Sequence, residues 1–163
     1  MDEVWSVELA ARADRWEAVF TELRWANNQP LNTLWLRGVP QDAPEWRFRL
    51  VSLVLGTLSI PLAGWVMLRW GGGWTAAWAA AAASALSFFQ IQYATEARGY
   101  AGAWFCALLA LGIRGGGGTE AAPGQGRPGG VPGRFAFWTA QIAGMLWHPG
   151  HLLSVAASGH DAV

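Results

Sequence analysis

Residues 50–68, LVSLVLGTLSIPLAGWVML, run for 19 positions without a charge. At 1.5 Å per residue such a helix is roughly 28 Å long, which matches the hydrocarbon core of a bilayer. Residues 74–91, WTAAWAAAAASALSFFQI, supply another 18 uncharged positions, and only residues 69–73 separate the two runs. A chain that places two such runs in tandem satisfies its backbone inside lipid by folding them as helices. The sequence therefore predicts a helical hairpin through a membrane.

Two further apolar runs extend the pattern. Residues 100–113 are short for a span unless their helix starts near Thr95, which would carry Glu96 and Arg98 into the interface. Residues 135–155 contain Gln141, His148, Pro149 and His151. The expected fold is all-α, a polytopic membrane helix bundle of about four transmembrane helices. Composition agrees, with 53% hydrophobic residues, 13% charged residues and 12 Trp. Ser52 and Gly56 stand four apart and residues 76–83 are nearly all Ala, so neighbouring helices can approach closely. Pro61 interrupts the hydrogen bonding of the first run and predicts a kink. Cys106 falls inside the third run, where a lone cysteine reads as a small core residue.

The organisation that follows is an outer-face segment at 1–49, three spans over 50–113 with an outer loop at 92–99, and a flexible Gly/Pro-rich cytoplasmic loop at 114–134. A fourth span at 135–157 and a tail at 158–163 complete it. The first segment holds eight of the eleven acids and six of the eleven arginines. Within it Val4, Val7, Ala11, Val19, Phe20 and Leu23, with Trp5, Leu9 and Trp16 beside them, recur at roughly helical spacing. Such an amphipathic segment either packs on neighbouring helices or lies on the bilayer surface. Asn27-Asn28-Gln29-Pro30 is a turn signal, and Pro30 is suited to open the helix LNTLWL.

Arg69 in one connection and Arg114, Arg127 and Arg134 around another place both in the cytoplasm by the positive-inside tendency, so the N-terminal segment and Glu96 face outward. The six arginines before the first span count the other way, but the rule weakens for long folded segments. The expected location is the plasma membrane, as a multi-pass protein with the lipid bilayer as partner. Net charge is zero and no Lys is present, which leaves no basic field for nucleic acid. Asp2 and Glu3 directly after Met1 do not form the basic start of a cleavable signal peptide.

Two acidic positions invite a chemical role: Asp2-Glu3, and Tyr93-Ala94-Thr95-Glu96-Ala97-Arg98-Gly99-Tyr100. A charge at the centre of a membrane helix costs about 2.5–3.5 kcal/mol, less near the edge, so Glu96 and Arg98 need a reason. If the helix is continuous, Tyr93, Glu96 and Tyr100 share a face and Arg98 points elsewhere. An interfacial turn with Arg98 on lipid phosphate explains the pair as well as a functional site does. Taken singly, Asp2-Glu3 reads as a solvated terminus, Asn28-Gln29-Pro30-Leu31 as a helix start, and His148 as a core histidine.

The ordered set Asp2-Glu3, Asn28-Gln29-Pro30-Leu31, Arg47 to Arg49 before the first span, and Glu96-Ala97-Arg98-x-Tyr100 resembles the N-terminal region of glycosyltransferase family 39. That family includes the dolichyl-phosphate-mannose protein mannosyltransferases. The resemblance covers roughly residues 1 to 113 and implies a type-C glycosyltransferase architecture. It implies inverting transfer of a sugar from a polyprenyl-phosphate donor to a hydroxyl acceptor at the outer membrane face. Asp2 is then the catalytic base, taking the acceptor proton. Glu3, Asn28, Gln29, Glu96, Arg98 and Tyr100 are implied substrate contacts. The lipid phosphate that leaves needs arginine or a divalent metal ion, for which Arg98 and Glu96 are the respective candidates.

The chain departs from the family in lacking a membrane helix before Asp2, in carrying Gln29 where His or Pro is usual, and in being several times shorter than its members. The resemblance thus implies an N-terminal fragment that does not turn over alone. Outside it, the same residues suit a non-catalytic membrane scaffold or transporter subunit.

Overall fold

A computed structural model describes residues 2–12, 15–21, 29–115 and 131–148. Eight helices account for the regular structure among them: α1 (Asp2–Ala11), α2 (Ala18–Thr21), α3 (Pro30–Gly38), α4 (Glu45–Arg69), α5 (Gly73–Leu86), α6 (Phe88–Thr95), α7 (Tyr100–Arg114) and α8 (Val131–Trp147). The fold is all-α among the described residues. α4 packs against α5, α6 and α7, α7 packs against α8, and α1 lies on α3 at one end.

α4 contains the first apolar run, and among the described residues it is the one helix long and apolar enough to cross a membrane. Its burial is inverted relative to a water-soluble core helix. The face turned inward carries Ser52, Gly56, Ser59 and Gly64, while Leu53, Val54, Leu58 and Trp65 are exposed. Only 28% of its most apolar stretch is buried. Small inward residues let backbones meet: a methyl group on Gly56 would overlap the Cβ of Ala94, and one on Gly64 would lie 3.0 Å from the carbonyl oxygen of Ala77. Pro61 lies inside the helix.

The second run does not form one helix. It breaks at Ser87, whose ψ of 117° is extended, and gives α5 and α6 instead. Polar side chains anchor the break: Ser84 Oγ donates to Gln90 Oε1 at 2.6 Å, and Gln90 Nε2 donates to the Gly56 carbonyl at 3.2 Å. The apolar count could not reveal this, because an uncharged run reads alike with or without a bend. The third helix begins at Tyr100 and not near Thr95, so Glu96 and Arg98 sit in the connection between α6 and α7. Cys106 is buried in α7. α8 opens at Val131, four residues before the expected 135, and residues 149–157 of that expected span lie outside the described residues, as do 116–130 of the Gly/Pro-rich loop.

At the α4/α7 end, Arg69 Nε donates to the Gly112 carbonyl at 3.3 Å and Trp70 Nε1 to the Leu111 carbonyl at 3.1 Å. Both are carbonyls of the last turn of α7; that of Leu111 also accepts from the Gly115 N–H at 2.9 Å, and the side chains of α4 and the residue after it add to the capping of this end.

The N-terminal stripe is only partly as expected. Leu9, Ala10, Ala18 and Val19 are buried, but Val4, Trp5, Trp16 and Phe20 are exposed and Ser6 is buried. Leu23 lies outside the described residues. Pro30 opens α3 as its spacing predicts.

Candidate functional site

The connection of residues 96–99 is held from two helices by three side chains that bind its backbone. Asn32 Nδ2, in α3, donates to the Ala97 carbonyl at 3.1 Å. Ser52 Oγ, in α4, donates to the Arg98 carbonyl at 2.9 Å. The Gly99 N–H donates to Oε1 of Gln29, which precedes α3. Gln29, Asn32, Ser52 and Ala97 are all at least 98% buried. A buried backbone group without a partner is costly, so a non-helical stretch can persist here only because these side chains replace the missing helical bonds.

Ala97 also belongs to the small core that joins Ala10 of α1 and Leu36 of α3, with Val7, Trp35 and Phe48 around it. The N-terminal layer is thereby fastened to the connection. Gly99 is required by close approach: a Cβ there would lie 2.8 Å from Gln29 Oε1 and overlap the Trp147 carbonyl.

The grip aims the side chains of the motif. The Arg98 guanidinium lies 4.6 Å from the centre of the Tyr100 ring, and its Nη1 is 3.9 Å from Glu96 Oε2. Arg98 and Glu96 side chains are only 12% and 28% exposed. Glu96 Oε1 accepts from Gln92 Nε2 at 3.2 Å. Tyr100 stacks on Tyr93 at 4.8 Å between ring centres and meets the His148 ring at 4.4 Å. Phe89 and Phe88 continue the row from Tyr93 at 6.3 and 5.9 Å.

The arrangement corrects the continuous-helix reading of this motif. Arg98 does not point away from Tyr93, Glu96 and Tyr100; the turn folds it back over Tyr100 and beside Glu96. The structure brings together Gln29, Glu96, Arg98 and Tyr100. α1 reaches the site through Ala10, which packs in the core that contains Ala97. The side chains of Asp2 and Glu3, and all of Asn28, lie outside the described residues. Asn32, Ser52, Tyr93 and His148 are members that the motif alone did not assign. Asn32 had a signal, as the one amide within the mainly apolar LNTLWL.

The described residues do not assemble a metal-ligand set. A hard divalent cation takes six or more oxygens, usually from more than one carboxylate, whereas Glu96 stands alone and its two oxygens face Gln92 and Arg98. No group of three His, Cys, Asp or Glu side chains suited to a metal occurs among the described residues.

A cavity of about 440 Å³ lies elsewhere, between α1, α3 and the start of α4, lined mainly by Val7, Ala10, Leu36, Val39 and Phe48 with Arg37 and Gln41. Its lining includes none of the candidate catalytic or substrate-contact residues. Comparison with known protein families, with curated proteins and with solved structures finds no match to this chain.

Proposed function

We propose that the chain is a polytopic membrane protein whose 96–100 connection forms part of a phosphate-recognising site in a lipid-dependent glycosyltransferase. The membrane part rests on the inverted burial of α4 and on the large apolar side chains left outside: Trp65, Trp74, Trp78, Phe88, Trp104, Phe135 and Trp138 are all exposed. In water that surface would drive association; in lipid it needs no cover. α5 with α6, α7 and α8 are then further membrane-embedded elements beside α4.

The single observation that carries the enzymatic reading is the immobilised Arg98. Three side-chain bonds, two of them buried, fix the backbone around it, and the ring of Tyr100 supports its guanidinium. A pre-positioned guanidinium is what a leaving lipid phosphate requires, because charge that develops during reaction is best met by donors that need not reorganise. The acceptor oxygen would attack the anomeric carbon and give its proton to Asp2, while the carbon–oxygen bond to the lipid phosphate breaks and the phosphate keeps the electron pair. Gln29 acts in this reading through the backbone of Gly99, as a positioning residue.

A non-catalytic scaffold is the second reading, favoured by the ion pair and ring contact that Arg98 already makes within the chain. Binding of a radiolabelled polyprenyl-phosphate sugar to membranes containing the protein, with and without Arg98→Ala, separates the two. Binding above that of membranes lacking the protein, which Arg98→Ala abolishes, supports the enzyme. Binding no greater than in those membranes, with Arg98→Ala merely lowering stability, supports the scaffold.

A further inference from the structure

The grip on residues 97–99 leaves two polar atoms over. Gln29 spends its Oε1 on the Gly99 N–H, and its Nε2 has no hydrogen-bond partner; Asn32 spends its Nδ2 on the Ala97 carbonyl, and its Oδ1 has none. The residues are only 2% and 1% exposed, so bulk water does not serve these atoms. Neither amide can be turned over. Reversing Gln29 would set its NH2 against the Gly99 N–H, and reversing Asn32 would set its oxygen against the Ala97 carbonyl.

The leftover pair is therefore one donor and one acceptor. Gln29 caps α3, its carbonyl accepting the Thr33 N–H at 2.8 Å, so the two side chains leave the chain within one turn of each other, and their partners are two residues apart in the connection. Buried polar atoms without a partner are rare in folded proteins and point to a small molecule held between them. A cation would suit Oδ1 and be repelled by the Nε2 donor, and an anion would do the reverse. A hydroxyl group suits both, since it accepts one hydrogen bond and donates another.

We propose that the space between the first turn of α3 and residues 97–99 binds one hydroxyl group, which accepts from Gln29 Nε2 and donates to Asn32 Oδ1. Its sources are a trapped water or the hydroxyl of a carbohydrate that reaches in beside the connection. The site is independent of the glycosyltransferase reading, since it follows from hydrogen-bond accounting alone. A hydroxyl there adds a fourth tie between α3 and the segment that carries Arg98.

The test is an experimental structure of the full chain, purified in a detergent without sugar groups, with and without added glucose, at a resolution that shows ordered water. The expected result is density within about 2.7–3.2 Å of both Gln29 Nε2 and Asn32 Oδ1. An isolated peak in both preparations identifies water, and density joined to a sugar ring only when glucose is present identifies a carbohydrate; either outcome supports the site. Absence of density in both preparations, or density that touches only one of the two atoms, overturns it.

Discussion

Asn32 and Ala97, 65 residues apart in the chain, are joined by a hydrogen bond of 3.1 Å from the Asn32 amide to the Ala97 carbonyl. The bond ties the N-terminal layer to the connection between α6 and α7, and it is buried. Asn32→Leu removes the donor and leaves that carbonyl without it, so the variant should lose about 1–3 kcal/mol of stability. Ser52→Ala should lose about 1 kcal/mol by removing the bond to the Arg98 carbonyl. Because both side chains hold adjacent residues, the double variant should lose measurably more or less than the sum. Thermal unfolding in detergent measures all three; strict additivity would show that the two bonds act separately.

Gly56 and Gly133 should respond to alanine in opposite directions. A Cβ on Gly56 overlaps the side chain of Ala94 and comes within 3.2 Å of its Cα, whereas nothing lies within 4 Å of one on Gly133. Both residues are helical. Gly133→Ala should stabilise by up to about 1 kcal/mol through helix propensity. Gly56→Ala gains the same term but forces α4 from α6, with a net loss on the order of 1–3 kcal/mol. Equal shifts in melting temperature for the two would contradict the close α4–α6 contact.

Topology is open to a direct check. After Cys106→Ala, cysteine introduced at Ala43 should react with an impermeant reagent added outside intact cells, and cysteine at Trp74 should react only after permeabilisation. Ala43 lies before α4, and Trp74 in the first turn of α5, across the 70–72 connection from Arg69 at the end of α4. Labelling from outside at Trp74 alone would invert the orientation, and labelling at both would contradict a single crossing between them.

The sequence by itself determined the helical class and α4, because an uncharged run of bilayer length admits few other structures. It also fixed the start of α3, since Pro30 has no N–H to lose at a helix opening. Only the tertiary structure decided the break at Ser87, where Ser84 and Gln90 reach each other and Gly56 through space, and the folding of Arg98 onto Tyr100. Periodicity along a chain assumes that the helix continues. Whether it does depends on which distant side chains can satisfy the backbone where it stops. Gln29, Asn32 and Ser52 do so for residues 97–99 from 46 to 70 positions away, a relation that no local pattern contains.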